Sequence, residues 1–238
     1  MKQELLRSGV KLPDINLKKR VILITGGDRG LGKSMAEAIA DCGGRLSIAS
    51  DDEKGCRKLA RQLNARFGAG TAIGLNLDIT DIEQCRAVVE ETVNQMGKLD
   101  VLFNNARRLM RGRGLPPKGN SLPIWKTDPV IYAETVNANV VGTFNMTRAA
   151  VEYFRTRKFG KIINISTSSR NFSHANNSPY GVTKAALEAQ TLIWSAECEK
   201  ESIMINSLLP GGSVDSDTKR PDRHKKKLQP VDVMDPVA

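Results

Sequence analysis

The sequence contains little of what several protein classes require. Only 5% of its 238 residues are aromatic, and only two are histidines. No apolar run approaches the roughly 18 residues that a membrane helix needs, and the first residues, MKQELLRSGVKLPD, lack the apolar core of a secretory signal. The four cysteines form no CxxC pair, so no metal site is expected. These absences favour a cytoplasmic chain with reduced thiols and no membrane contact.

The chain is basic, with a net charge of +10. Much of the excess lies in two stretches, residues 107–118 and residues 219–227. Such stretches are most often solvated faces, but they can also attract anions. Binding of nucleic acid ranks last among our hypotheses, because aromatic residues are scarce and no nucleic-acid-binding motif is present.

Strand-like and helix-like segments alternate along the chain. Short, β-branched, mostly apolar runs predict six strands with the sequences RVILIT, RLSIAS, TAIGLNL, LDVLFNN, KIINIS and IMINSLL. Helical patterns separate them, including one over about Thr135–Arg157 and one that begins near Tyr180. This order predicts a Rossmann-like, doubly wound parallel sheet with helices on both faces. Its ligand crevice should lie at the carboxyl ends of the strands.

We expect one globular domain over residues 17–238, preceded by a short arm over residues 1–16. Within the domain, residues 107–126 form an irregular loop rich in Arg, Gly and Pro. Because this loop follows the fourth strand, it should lie at the rim of the crevice and shape access to it. A basic C-terminal segment occupies residues 213–238.

A glycine-rich turn, TGGDRGLG, follows the first strand and opens the first helix. Gly26, Gly30 and Gly32 permit a tight turn and a close approach of a diphosphate to the backbone. Asp51, at the end of the second strand, can accept hydrogen bonds from an adenosine ribose and would repel a 2′-phosphate. Arg29 would favour NADP instead, because it could pair with that phosphate. The balance favours NAD over NADP.

The segment SPYGVTKAAL places Tyr180 four residues before Lys184 on a predicted helix. The two side chains then lie one helical turn apart on the same face. The pair is either an exposed contact without function or an acid–base couple. A free tyrosine has a pKa near ~10, and an adjacent ammonium makes its phenolate easier to form.

Seven motifs occur in the order found in short-chain dehydrogenases/reductases, and the sequence resembles that family from about Leu17 to Ser216. They are TGGDRGLG, Asp78-Ile79, NNA at 104–106, Asn139 three residues before Gly142, NIST at 164–167, YGVTK at 180–184 and PGG at 210–212. The resemblance implies an NAD(P)-dependent enzyme that interconverts alcohols and ketones or aldehydes. It also implies a homodimer or homotetramer built on the helices near Thr135 and Tyr180.

The resemblance also implies roles for individual residues. Tyr180 would be the general acid/base, Lys184 would lower its pKa and hold the nicotinamide ribose, and Thr167 would bind the substrate oxygen. Asn139 would hold a water molecule in a proton relay. The residues that would bind the cofactor include Tyr180 and Lys184. The full set is Gly26, Arg29, Gly30, Leu31, Asp51, Asp78, Ile79, Asn105, Ala106, Tyr180, Lys184, Pro210 and Gly211.

Apart from the segment between Ala106 and Asn139, which is longer than usual, the sequence departs from the family pattern in three places. Arg107 stands where the family usually has glycine, and Thr167 stands where it has serine. The chain also ends at Ala238, without the last strand of the family, which would leave IMINSLL as a sheet edge. These departures support a second hypothesis, a dinucleotide-binding but catalytically silent regulator or scaffold. If the basic stretches are not merely solvated, they favour a substrate with negative charge.

Overall fold

A computed structural model describes residues 15–108 and 122–210. Most of the predicted arm, residues 109–121 of the predicted rim loop and the basic segment over 213–238 lie outside the described residues. None of the described helices is long and apolar enough to cross a membrane. Within the two described ranges, no group of three or more His, Cys, Asp or Glu side chains could hold a metal ion.

All six predicted strands are present and form one parallel sheet. They are β1 (Val21–Thr25), β2 (Arg45–Ser50), β3 (Ala72–Asn76), β4 (Val101–Asn104), β5 (Gly160–Ile165) and β6 (Ile203–Leu208). Their order in the sheet is β3-β2-β1-β4-β5-β6, and every neighbouring pair is parallel. The predicted doubly wound sheet is therefore confirmed, with its switch point between β1 and β4.

Seven α-helices connect the described strands. They are α1 (Gly30–Asp41), α2 (Glu53–Phe67), α3 (Ile82–Met96), α4 (Pro129–Val136), α5 (Thr143–Arg157), α6 (Ser169–Phe172) and α7 (Tyr180–Cys198). The helix predicted from about Thr135 begins earlier, at Pro129. Asp128 explains the earlier start, because its carboxylate accepts hydrogen bonds from two N–H groups of the first turn. A π-helical segment, Asn137–Gly142, joins α4 to α5.

The sheet is covered on both faces by apolar helix surfaces. On one face, Ile24 and Ile48 pack with Ala36 of α1 and Leu59 of α2. On the other face, residues of β1, β4 and β5 pack against α3 and α5, with Phe154 fully buried. Burial of one such side chain contributes about 1.5–3 kcal/mol. This is why the strands are nearly continuous apolar runs instead of alternating patterns.

A chain of buried polar side chains ties the carboxyl ends of the central strands to the helices. Asn104 of β4 donates to Thr147 Oγ1 and to Asn164 Oδ1, both at 2.9 Å. Asn164 of β5 in turn donates to Thr191 Oγ1 of α7 at 2.8 Å. Because buried polar networks of this kind have few alternative arrangements, they fix α7 relative to the sheet. The sequence analysis did not identify this network.

Strand β6 lies at the edge of the sheet that the described residues form. Met204 on this strand is 48% exposed. An exposed edge strand is open to pairing with another chain segment. The prediction that IMINSLL forms a sheet edge therefore agrees with the described part of the fold.

Candidate active site

Helix α7 presents Tyr180 in its first turn and Lys184 one turn later, as the sequence predicts. The Lys184 Nζ atom lies 5.9 Å from the centroid of the Tyr180 ring. The lysine is only 6% exposed, and its amine donates a hydrogen bond of 2.5 Å to the carbonyl oxygen of Ile165 at the end of β5. A buried amine with one fixed acceptor does not fit the interpretation of Tyr180 and Lys184 as an exposed contact without function.

The environment of Lys184 strongly favours its neutral form. Burial, and then the positive charge of Arg107, lower the pKa of Lys184 to about 7, while the carboxylate of Glu188 acts in the opposite direction. Tyr180, Lys184 and Glu188 are spaced four residues apart and so share one helix face. Near neutral pH the amine therefore exchanges between its charged and neutral forms, as a group that relays protons must.

This shift predicts that the stability of the protein depends on Lys184 in a defined pH range. The amine is protonated up to about pH 10.5 when unfolded but only below about pH 7 when folded. Between these values the unfolded chain binds more protons, so the contribution of Lys184 to stability increases as pH rises. In urea unfolding from pH 7 to pH 10, wild type should gain stability relative to Lys184→Met. Parallel pH profiles of the two proteins would contradict the shift.

Asn139 lies in the π-helical segment between α4 and α5, and protein groups surround its side chain. Its Oδ1 atom accepts a hydrogen bond from the Arg108 N–H at 2.7 Å, and its Nδ2 group donates to the Arg108 carbonyl at 3.0 Å. Nδ2 also lies 3.2 Å from Thr183 Oγ1 on α7. The side chain therefore fastens the segment after β4 to α7. The relay role implied by the family resemblance stays a prediction.

Thr167 follows β5 by two residues and is half-buried. It lies between Ile165, whose carbonyl holds Lys184, and helix α6. That helix packs on the start of α7 so closely that a Cβ atom added to Gly181 would lie 2.1 Å from the Phe172 carbonyl oxygen. Thr167 thus lies between the strand end that holds Lys184 and the helix that packs against the start of α7. Its neighbour Ser166 is buried, and its hydroxyl has no hydrogen-bond partner.

Long-range hydrogen bonds hold the glycine turn against the end of β4. Asn105 Nδ2 donates to the carbonyl oxygens of Thr25 and Gly26 at 3.0 and 2.8 Å. The Thr25 hydroxyl accepts from the N–H groups of Asn105 and Ala106 at 3.1 and 3.0 Å. Sequence reasoning had given Thr25 no role. The NNA motif thereby acts as a brace for the turn.

The turn has the backbone that a diphosphate site needs. Gly26 adopts φ +61°, and an added Cβ atom would lie 2.9 Å from Ala106 Cα, so only glycine fits. Helices α2, α3 and α4 are each capped by an aspartate side chain, whereas the N-cap residue of α1, Arg29, makes no such bond. The first N–H groups of α1 are therefore available for an anion, and the residues present fit a dinucleotide.

Three charged residues lie where the adenosine ribose is predicted to bind. Arg29 is 3.5 Å from Asp28 and 3.9 Å from Asp51, so two carboxylates share its charge. The Asp51 side chain is 79% exposed, as a ribose ligand should be. Asp28 is only 3% exposed, and its Oδ1 atom has no hydrogen-bond partner. Sequence reasoning gave Asp28 no role.

The remaining predicted cofactor residues that the structure describes follow the carboxyl ends of β3 and β6 or begin α1. Asp78 is exposed and accepts hydrogen bonds from the N–H and hydroxyl of Thr80. Ile79 packs against Gly142 of the π-helical segment, where an added Cβ would meet it at 2.7 Å. Pro210 is the last described residue of its range, and Gly211 lies outside the described residues. Leu31 and Gly30 occupy the first turn of α1.

Arg107 departs from the family pattern, and its side chain reaches α7. Its guanidinium carbon lies 5.9 Å from the centroid of the Tyr180 ring. Tyr180 is therefore flanked by two cationic groups, Lys184 from its own helix and Arg107 from the segment after β4. The guanidinium of Arg107 is therefore directed toward Tyr180.

Comparison with known proteins agrees with this geometry. L-fucose dehydrogenase of Oryctolagus cuniculus is 31% identical over 192 residues, which cover 81% of this chain but only 62% of that relative. Trans-4-hydroxycyclohexanecarboxylate dehydrogenase of Sinomonas cyclohexanicum is 32% identical, with coverage of 81% and 72%. The structure of a 3-ketoacyl-(acyl-carrier-protein) reductase of Brucella melitensis complexed with NADH superposes with a TM-score of 0.73. It is 25% identical and covers 84% of this chain and 78% of that chain.

The family model described as short chain dehydrogenase matches residues 20–227. This range begins just before β1 and extends past β6, so it includes the glycine turn, the NNA brace and helix α7. The chain belongs to the short chain dehydrogenase family.

Proposed function

We propose that this protein is an NAD-dependent oxidoreductase that interconverts an alcohol and a ketone or aldehyde, with Tyr180 as the general acid/base. The observation that carries this proposal is the buried amine of Lys184. It is held by the Ile165 carbonyl one helical turn from Tyr180 and has a pKa of about 7. Burying an amine costs free energy. Groups whose pKa is perturbed in this way cluster at functional sites.

The nicotinamide ring of the bound cofactor supplies the chemistry of hydride acceptance or donation. In alcohol oxidation, Tyr180 takes the hydroxyl proton as the hydride leaves the carbinol carbon. In carbonyl reduction it returns that proton. Lys184 favours the phenolate by its charge and passes protons onward. Thr167 donates a hydrogen bond to the substrate oxygen, and Asn139 joins the relay while bracing the segment after β4.

The glycine turn and the strand ends would hold the cofactor. The N–H groups of Gly30 and Leu31 suit the diphosphate, because α1 lacks a side-chain cap. Lys184 would also contact the nicotinamide ribose. The rest of the proposed cofactor set is Gly26, Arg29, Asp51, Asp78, Ile79, Asn105, Ala106, Pro210 and Gly211.

A preference for NAD over NADP follows from the carboxylates beside Arg29. A 2′-phosphate would be repelled by the carboxylates of Asp28 and Asp51, while Arg29, a cation that could pair with it, is already shared between them. NADH should therefore bind at least about tenfold more tightly than NADPH, which corresponds to about 1.4 kcal/mol. Asp51→Ser should narrow this ratio, as measured by nicotinamide fluorescence titration. Glu53→Gln is the matched control, because Glu53 pairs with Arg57 instead. Tighter binding of NADPH by wild type would contradict the preference.

The test of the function is cofactor binding followed by turnover. NADH and NADPH are titrated into the purified protein, and a panel of aldehydes and ketones is then added while nicotinamide absorbance is followed. Turnover that depends on Tyr180 supports the proposed oxidoreductase. A protein that binds neither dinucleotide contradicts it.

A catalytically silent dinucleotide-binding protein is the second candidate, and the position of Arg107 favours it. A guanidinium above Tyr180 could occupy space that the nicotinamide end of the cofactor needs. This candidate predicts NADH binding without turnover of any carbonyl compound. It also predicts that Tyr180→Phe changes nothing that can be measured.

A homo-oligomer is proposed on the same helices that carry the site. Large apolar side chains are exposed on α7, on the π-helical segment and in the first turn of α5, at Val141, Phe144, Val182, Leu192 and Ile193. Burial of such a surface in a dimer or tetramer would remove it from water. A cytoplasmic location is proposed as well, and the four free cysteines support it.

A further inference from the structure

We propose that Arg107 recognises an oxyanion on the substrate, so that the substrate is a hydroxy acid or the corresponding oxo acid. This inference rests on the proposed function, because it places the carboxylate close to the carbon that reacts beside Tyr180. It assigns Arg107 a role in substrate specificity at the position where the family usually has glycine.

The backbone on both sides of Arg107 is fixed. The Ala106 N–H donates to the Thr25 hydroxyl at 3.0 Å, and both backbone groups of Arg108 are bonded to the Asn139 amide. The side chain of Arg107 therefore leaves the backbone from a defined point between the glycine turn and α7. A residue held in this way can present a charge with little loss of conformational freedom.

The charge of Arg107 is available to a ligand, whereas the charges of Arg108 and Arg29 are paired with carboxylates. Arg108 Nη2 lies 2.5 Å from the Glu134 carboxylate, and Arg29 is shared between two aspartates. Within residues 15–108 and 122–210, no carboxylate forms an ion pair with Arg107. Its side chain is exposed and its guanidinium is directed at the Tyr180 ring. A guanidinium can bind a carboxylate through two parallel hydrogen bonds.

The electrostatics of the site also favour an anion. Arg107 and Lys184 flank Tyr180, and repulsion from Arg107 is one cause of the lowered pKa of Lys184. Among the described residues, Glu188 is the acidic group that acts on the pKa of Lys184 in the opposite direction. A carboxylate bound beside Arg107 would offset this repulsion and favour the ammonium form of Lys184. Anion recognition and proton transfer would then support each other.

The reaction itself is balanced without any further reactant. The hydroxyl proton passes to the Tyr180 phenolate, and the carbinol carbon gives its hydride to the oxidised nicotinamide that the proposed function supplies. The product is an oxo acid and a reduced cofactor. The carboxylate on Arg107 is unchanged throughout and serves only to orient the carbinol.

The cofactor diphosphate is the other anion within the crevice that could pair with Arg107. Ala106 lies against Gly26 of the glycine turn, so the backbone of this segment is close to the predicted diphosphate site. The guanidinium, however, is directed toward Tyr180, at the reacting end of the crevice. This direction favours the substrate as the source of the anion. An experiment with and without cofactor separates the two.

Malonate is a suitable probe, with malonamide as its uncharged analogue. Both are titrated by isothermal calorimetry into the full chain, alone and saturated with NADH. The variants are Arg107→Gln, Arg107→Lys and, as the matched neighbour, Arg108→Gln. We expect wild type to bind malonate and not malonamide, with and without NADH. Arg107→Gln should weaken malonate binding by at least about tenfold, Arg107→Lys should weaken it less, and Arg108→Gln should leave it unchanged.

Three outcomes would overturn the inference. They are no malonate binding to wild type, equal binding to wild type and Arg107→Gln, and loss of malonate binding on saturation with NADH, which would assign Arg107 to the cofactor diphosphate. Failure of the proposed function has a different signature. NADH would then not bind, while the malonate titration of the free protein would still give a result for Arg107.

Discussion

Tyr180→Phe should lower the turnover number by about 10²–10⁴-fold, the usual contribution of a general acid/base. The substitution removes one hydroxyl from a half-buried ring, and the ring itself can keep its place between Lys184 and Arg107. Binding of NADH should therefore change by less than about threefold, which is under 1 kcal/mol. The measurement is the steady-state rate of nicotinamide oxidation or reduction, with NADH fluorescence titration on the same preparation.

Two further variants make this result specific. Tyr153→Phe is the matched control, because Tyr153 lies on α5 and packs near Phe154 and Arg157 instead of the crevice. It should leave both rate and affinity unchanged. Lys184→Met should lower the rate and also weaken NADH binding, since the amine is proposed to serve both the phenolate and the ribose. Unchanged turnover in Tyr180→Phe would remove the enzyme hypothesis and leave the silent dinucleotide-binding protein.

The strands were predictable because each is a short apolar run that has to be covered on both faces. VILIT of β1 is buried along its whole length, as is typical of a short strand in a parallel sheet with both faces covered. The start of α7 was also predictable from the local sequence. Tyr180 and Lys184 are four residues apart, so they share a helix face wherever the helix lies in the fold. Local periodicity determines both features, and it can be seen in the sequence.

Other features depend on residues far apart in the chain. Asn105 braces Gly26 across 79 positions, and Asn139 binds the backbone of Arg108 across 31. The direction of the Arg107 side chain depends on both contacts, so the sequence left it open. The π-helical segment at Asn137–Gly142 packs through Gly142 against Ile79, which lies much earlier in the chain, and nothing in the local sequence reveals that contact.

The buried position of Asp28 could not be predicted for the same reason. Its surroundings are formed by the glycine turn and by the first turn of α2, where a Cβ on Gly55 would lie 3.4 Å from Asp28 Cβ. Nothing in the local sequence TGGDRGLG distinguishes a carboxylate that points to solvent from one that is enclosed. The spatial arrangement of α1 and α2 on the sheet makes that difference.

Gly32→Ala should abolish tight cofactor binding and destabilise the fold. A Cβ atom at this position would lie 2.2 Å from the Gly26 carbonyl oxygen and 2.6 Å from Asn105 Nδ2. The first neighbour is backbone and cannot rotate away, so the glycine turn or helix α1 has to move. Overpacking of this kind costs about 1–3 kcal/mol or more. Displaced N–H groups would also lose their bonds to the diphosphate, so NADH affinity should fall by about 100-fold, or about 2.7 kcal/mol.

Gly70→Ala is the control that separates the two effects. Gly70 has φ +79° but no atom within 4 Å of an added Cβ, so alanine there is strained without a clash. That strain is worth about 1–2 kcal/mol, and it lies in the turn before β3, away from the crevice. Urea unfolding should therefore show both variants destabilised, while NADH titration at a temperature where both are folded should show only Gly32→Ala impaired. In folded Gly32→Ala the backbone of the glycine turn cannot keep its present shape. Normal NADH affinity of this variant would therefore mean that the turn does not hold the cofactor.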